Sequence, residues 1–199
     1  MEAKRSYTVP VLLALMVILG IIIVTLLTRL LVAEQKIRTE EGRRLAEQYA
    51  ACLAFGEGLN REAEALAAAD SPVDRLPVKA RLGALMPLAQ PCAELLAEAA
   101  GRTGEDREQA AAGIREAFRT VEERLLPAGD HEGPLTEDEA RLAAVAAEAG
   151  AAWTEALRVY RVPDSEQNYR IMAGGGPWIE VAGRAAAALL ALADQLRGP

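Results

Sequence analysis

The stretch LAEQYAACLAFGEGLNREAEAL, residues 45–66, decides the fold. Leu45, Tyr49, Cys52, Gly56, Leu59, Ala63 and Leu66 recur at alternating steps of four and three. That is the a/d spacing of a helix that lays a narrow apolar stripe along a partner. A strand would alternate with a period of two, and no stretch of the chain does so. Alanine, the residue that costs least to place in a helix, is abundant, and β-branched residues are scarce beyond residue 32. The chain reads as all-α, with an N-terminal single transmembrane helix continuing into a stalk and an antiparallel helical bundle of four to five helices.

Upstream of this seam the chain changes character. Residues 34–44, EQKIRTEEGRR, are polar all round and carry the opposite-charge i,i+4 pairs Glu34–Arg38, Lys36–Glu40 and Glu40–Arg44. They read as a solvated helical stalk. Before them, Val9 to Thr28 is free of charge. Such a run spans roughly 30 Å as a helix, the thickness of a bilayer's hydrocarbon core. Pro10 suits a first helical turn. Arg29 can snorkel while Leu30, Leu31 and Val32 stay in lipid. A cleaved leader would have a shorter apolar region followed by a small-residue cleavage site, and LVA at 31–33 is a poor imitation of one. The expected division is a cytoplasmic tail at 1–8, an anchor at 9–33, the stalk at 34–44 and an acidic, Ala-rich bundle at 45–199.

Orientation draws on two opposed signals. The C-terminal flank of the span carries more basic residues than the N-terminal one, which by count favours a cytoplasmic body. An eight-residue tail with three positive charges is hard to translocate, whereas a long acidic domain crosses more readily. The reading adopted is N-terminus cytoplasmic and body extracytoplasmic, at the plasma membrane.

Downstream, each helix announces itself by its stripe and its stops. DSPVDRLP at 70–77 is a turn, with Ser71 and Pro72 placed to start a helix. Val78, Leu82, Leu85, Ala89, Cys92, Leu96 and Ala99 form a second seam, interrupted by Pro87 and Pro91, which kink or break it. Thr103 with Asp106 looks like a capping box for a third helix with stripe Ala111, Ile114, Phe118, Val121 and Leu125. Thr136 with Glu139 is a full capping box for a fourth, running to about Val162 with stripe Leu142, Ala146, Ala149, Trp153, Ala156 and Tyr160. Residues 163–177 read as irregular. A fifth helix carries Trp178, Val181, Ala185, Leu189, Leu192 and Leu196.

The two cysteines, Cys52 and Cys92, lie about equally far from the Ser71–Pro72 turn, and both face a seam. An antiparallel hairpin brings such positions level, within the span a disulfide requires. Two cysteines in a body outside the cytoplasm suit one disulfide. Two reduced, small core residues suit the same pattern.

A search for chemistry returns little. The body from residue 45 onward has a net charge of −10, which repels phosphates, so no nucleic-acid partner is expected. His131 is the sole histidine and sits beside Asp130 and Glu132 in a loop, without the spacing of a metal site. GGGPW at 174–178 lacks the Lys-Ser/Thr of a phosphate loop. The three serines fall in no nucleophile motif. No catalytic residue, cofactor or metal is expected.

The sequence therefore suggests a non-enzymatic, membrane-anchored bundle that contacts other envelope proteins, with homodimerisation through the stalk as a further possibility. The alternative is an extracytoplasmic sensor that holds a small ligand between helices near Trp153, Tyr160 and Trp178. The same three residues would otherwise form a partner surface.

Overall fold

The computed structural model describes residues 8–198; of the expected cytoplasmic tail only Thr8 falls within them. The described chain is all-helical, and its first element is unusually long. Helix α1 runs unbroken from Thr8 to Ala67, 60 residues, or about 90 Å. It is followed by α2 (Pro72–Leu85), a single 3₁₀ turn (Met86–Leu88), α3 (Ala89–Arg102), α4 (Arg107–Leu125), α5 (Glu137–Arg158), α6 (Glu166–Gly174) and α7 (Trp178–Arg197).

The C-terminal part of α1 is the spine of a helical bundle. All seven seam residues from Leu45 to Leu66 are buried. So are Phe55 and Gly58, because α1 is packed on several sides, by α2, α3, α5 and α6. Helix α7 packs on α3, α4 and α5 and completes the core. At its centre Phe55, Phe118 and Trp153 form an aromatic trio. The two phenylalanine rings meet edge to face at 5.0 Å, and Trp153 lies 5.9 Å from Phe55 and 6.0 Å from Phe118, within the range of favourable aromatic pairing.

The α1–α5 contact shows why the seam is built from small residues. The pair runs antiparallel: Asn60 Nδ2 donates to the Ala147 carbonyl at 2.9 Å, and the Tyr49 hydroxyl donates to the Leu157 carbonyl at 2.6 Å. Between those tethers a Cβ on Gly150 would stand 2.5 Å from the Asn60 amide nitrogen and 3.0 Å from the Gly56 carbonyl oxygen. Backbone touches backbone there, so only glycine fits.

Several local expectations are corrected. The helix after the first turn starts at Pro72, where Ser71 and Pro72 are placed to start it, with Ser71 Oγ accepting from the Asp74 amide. Pro87 falls in the 3₁₀ turn and Pro91 in the first turn of α3, so α2 and α3 form one jointed rod. Thr103 does not cap α4. It terminates α3, its hydroxyl donating to the Ala100 carbonyl, and Asp106 alone caps α4 through the Glu108 and Gln109 amides. The Thr136–Glu139 box forms in full. Helix α5 stops at Arg158, and its buried face is Ala143, Ala146, Gly150, Trp153 and Leu157, so Leu142, Ala149 and Ala156 flank it.

The largest correction is α6. Residues 163–177 are not all irregular, because Glu166–Gly174 form a helix that lies along α1. Its docking shortens the stalk. A Cβ on Gly42 would overlap the Tyr169 carbonyl, and Gly42 is buried, so the bundle begins at about Glu41 rather than at Leu45. Only residues 34–38 are exposed as a continuous stalk. Arg38 there pairs with Glu34 at 2.8 Å.

Candidate functional site

Cys52, midway along the packed half of α1, and Cys92, in the first turn of α3, are joined by a disulfide with a Cα–Cα distance of 4.7 Å. Neither is exposed to solvent. The link closes a loop between residues 40 apart and fixes α3 to the spine. Burial at this level means that a soluble thiol meets it only after the helices part.

The three aromatics singled out from sequence do not converge. Trp153 belongs to the central trio and is 1% exposed. Trp178 is fully buried at the start of α7. Its indole Nε1 donates to the Met172 carbonyl at 3.0 Å, and the Arg102 guanidinium sits 5.4 Å from its ring centre. Tyr160 lies beyond the end of α5, with its ring 5.2 Å from that of Tyr49. It lines an open hollow with Arg161, Pro163, Asn168 and Ile171. Only Tyr160 of the three reaches the surface. The two tryptophans serve packing.

The most elaborate polar arrangement is at the distal end of the bundle, where the loop 127–135 folds over α2. Arg75 is 1% exposed. Its Nη2 donates to the carbonyls of His131 and Gly133, each at 2.8 Å, while its Nε and Nη1 have no partner among the described residues. The loop can close over the guanidinium because Gly129 adopts φ +73° and lacks a side chain; a Cβ there would stand 2.7 Å from Arg75 Cδ. Glu139, the last member of the capping box, ties the loop from the other side. It accepts from the Gly129 amide at 2.7 Å, the Thr136 amide at 2.9 Å and His131 Nε2 at 2.8 Å. Burial pushes the Glu139 carboxyl up, but these donors, the Gly129 amide first, outweigh it and bring the pKa down to about 2. The same contact raises His131, with the Glu132 carbonyl adding to it. Asp130 pairs with Lys79. The loop's polar groups are thus spent on holding the loop. Sequence reasoning passed over Arg75, since nothing in VDRLP marks its arginine as buried.

A second buried charge lies on α1. Glu62 is 1% exposed and is met by Arg81 at 2.6 Å and Arg61 at 2.7 Å. Burial raises its pKa, and the hydrogen bonds from Arg81 and then Arg61 overcome that and hold it low. This pair clamps α2 to the spine at the level between the disulfide and the distal loop.

Between α3, the start of α4 and α7 runs an open groove of about 520 Å³, floored by Leu96 and Ile114 and bordered by Gly113, Gly183 and Leu190. Nothing lies within 4 Å of where a Cβ on either glycine would be. Among the described residues no group of three His, Cys, Asp or Glu side chains is placed to share a metal ion.

Comparison with known protein families, with curated proteins and with solved structures finds no match to this chain. What it does must be argued from its own residues.

Proposed function

We propose that this chain is a non-enzymatic, single-pass membrane protein whose extracytoplasmic bundle works by contacting other envelope proteins. The observation that carries the reading is the division of α1. Its N-terminal half exposes Leu12, Leu15, Ile18, Ile22, Leu26 and Leu30 among many others, each about half exposed or more, and is long and apolar enough to cross a membrane. Its C-terminal half is the spine of the core. Burying a large aliphatic side chain is worth about 1.5–3 kcal/mol, so leaving this band in water would cost tens of kcal/mol in all. Lipid is the cover that its length and composition fit.

The disulfide supports an extracytoplasmic body, since such links persist in oxidising compartments and are rare in the cytosol. It weighs with the short charged tail against the basic count at residues 29–44. Recognition through helix faces is favoured over ligand sensing because Trp153 and Trp178, which a ligand between helices would need, are filled by the protein's own side chains. Homodimerisation through the seam loses its surface for the same reason, as the chain's own helices cover Leu45 to Leu66.

Cross-linking in intact membranes followed by purification tests the reading. A single partner in stoichiometric amount, lost when exposed bundle residues are changed, is the expected result. A chain that purifies alone with a bound small molecule would refute it. Topology is read separately by labelling thiols in intact cells with a membrane-impermeant maleimide. Labelling that requires denaturant and reductant but not lysis places the body outside.

A further inference from the structure

We propose that the outward face of α2, at the end of the bundle away from the span, is the partner-binding surface, and that it takes an amphipathic helix of another envelope protein whose basic end lies over Asp70 and Asp74. This rests on the reading of the chain as a bundle that works by contacting such proteins.

Helix α2 is covered on one side only. It folds back along α1, with Arg81 on Glu62 at 2.6 Å and Leu85 against Gly58, and the loop 127–135 closes over Arg75. Arg75, Val78 and Leu82 are buried on that side. Val73, Leu76, Pro77, Ala80 and Ala84 are exposed, Val73 by 78% and Leu76 by 71%. At 3.6 residues per turn these five fall within an arc of about 100°. The helix thus turns an apolar stripe to water while its fully buried charge, Arg75, faces inward. A helix that is apolar on both faces is one that is covered on both. Elsewhere in the bundle the exposed large apolar side chains, Val159, Ile171 and Leu190, stand singly, and single ones call for no partner. Val73 and Leu76 lie one turn apart on one face.

The charges beside the stripe define what covers it. Asp70 and Asp74 flank its upper end. Both are exposed and neither makes an ion pair among the described residues; Asp74 accepts from the Ser71 hydroxyl at 2.6 Å. Pro77 has no amide to give the Val73 carbonyl, so a backbone acceptor also opens on this face. About two turns further along the helix the sign reverses, because Arg81 and Arg61 share the one carboxylate of Glu62. On the other flank Lys79 is spent on Asp130. The complement is a helix with an apolar face, Lys or Arg at the end that meets Asp70 and Asp74, and an acidic residue at the end that meets Arg81. A second copy in the same membrane does not supply it. Two copies anchored side by side meet about a two-fold along the membrane normal. Since α2 runs antiparallel to α1, that axis sets Asp70 and Asp74 against their own counterparts, and like charges so placed repel.

Photo-crosslinking of the full-length protein in its native membranes tests this. Benzoylphenylalanine stands in place of Ala80 on the stripe in one protein and of Leu190 in the groove between α3, α4 and α7 in another, and the captured segment is sequenced. The expected result at position 80 is a segment of another protein with apolar residues at helical spacing and Lys or Arg clustered at one end. Leu76→Asp, at an exposed position, should leave the Tm unchanged and lower that capture about tenfold to a hundredfold. Asp70→Asn with Asp74→Asn should lower it severalfold, and less so in high salt. A captured segment that belongs to this chain overturns the proposal, as does an acidic segment or a capture that Leu76→Asp leaves unchanged. Capture at position 190 with position 80 silent also overturns it and leaves the wider reading of a partner-binding bundle standing. Silence at both removes that reading, and the proposal falls with it.

Discussion

Glycine-to-alanine changes in this protein should have opposite signs at different positions. In a helix interior, alanine is favoured over glycine by about 0.8–1 kcal/mol. At Gly113 in α4 and Gly183 in α7 a Cβ would meet nothing within 4 Å, so the propensity gain stands alone. At Gly150 the new Cβ would lie 2.5 Å from the Asn60 amide nitrogen and 3.0 Å from both Asn60 Cα and the Gly56 carbonyl oxygen. These are backbone atoms of a packed helix and cannot rotate aside, so α1 and α5 must separate. Overpacking costs about 1–3 kcal/mol, and a backbone obstacle belongs at the upper end. Separation also stretches the Asn60–Ala147 hydrogen bond. Net of propensity, Gly150→Ala should lose about 2 kcal/mol, while Gly113→Ala and Gly183→Ala each gain nearly 1. For a protein of this size that corresponds to a fall of about 4–8 °C in Tm at position 150 and a rise of about 2–3 °C at the other two. Calorimetry of the full chain in detergent reads all three. A Gly150→Ala protein as stable as the parent would refute the close backbone approach of α1 and α5.

Other consequences can be checked together. Replacing both Cys52 and Cys92 with alanine frees a loop of 40 residues, for which chain entropy predicts a loss of about 4 kcal/mol; reducing the parent protein should lower its Tm to a similar extent, and an unchanged Tm would argue that the two rods are held without the link. Tyr49→Phe strands the Leu157 carbonyl, which accepts from its hydroxyl at 2.6 Å, and should cost about 1–3 kcal/mol in denaturant unfolding. Glu139 has its folded pKa lowered from 4.5 to about 2, so its stabilisation is complete above the unfolded value and is lost as pH falls toward 2. His131 is raised above 6.5, so its share is present below that value and fades as pH climbs past it. Unfolding midpoints of Glu139→Gln measured against the parent should therefore converge at low pH and differ most near pH 5–6.

The bundle was legible in the sequence where apolar spacing was strict. The α1 seam, the Ile114–Leu125 stripe and the α7 stripe all fall where the four-and-three steps put them, because burial on one helical face leaves that imprint. Helix α6 left none. Only Met172 and Ala173 of its nine residues are buried within it, and nine residues are too few for a period to declare itself. What seats it is a residue on another helix: Gly42, in the charged run read as a solvated stalk, is the notch into which the Tyr169 backbone fits. Thr103 misled for a related reason. A threonine three residues before an acid can cap the next helix or end the previous one, and the choice depends on chain direction at Gly104, whose φ of +95° turns the backbone away. Arg75 and Glu62 were invisible because burial of a charge depends on what folds over it, and that is supplied by residues 131–133 and 81.

The same small residues that made the seam readable also set how the protein must be held together. Alanine and glycine stripes let helices approach closely, but each contact removes little apolar area from water, and stabilisation follows that area at about 25 cal/mol per Å². The spine therefore gains its larger increments at separate levels. Gly42 seats α6 at the base, the Cys52–Cys92 link fixes α3 in the middle, the aromatic trio fills the centre, Glu62 clamps α2 above it, and the Arg75–Glu139 loop closes the tip. Each of these joins a different element to α1 or to its immediate neighbour, so none can substitute for another. A change at one level should loosen its own helix first, and hydrogen exchange should report protection lost locally around that helix before the whole bundle opens. If instead every variant raised exchange uniformly from Leu45 to Leu196, the bundle would be a single cooperative unit and this division into levels would be wrong.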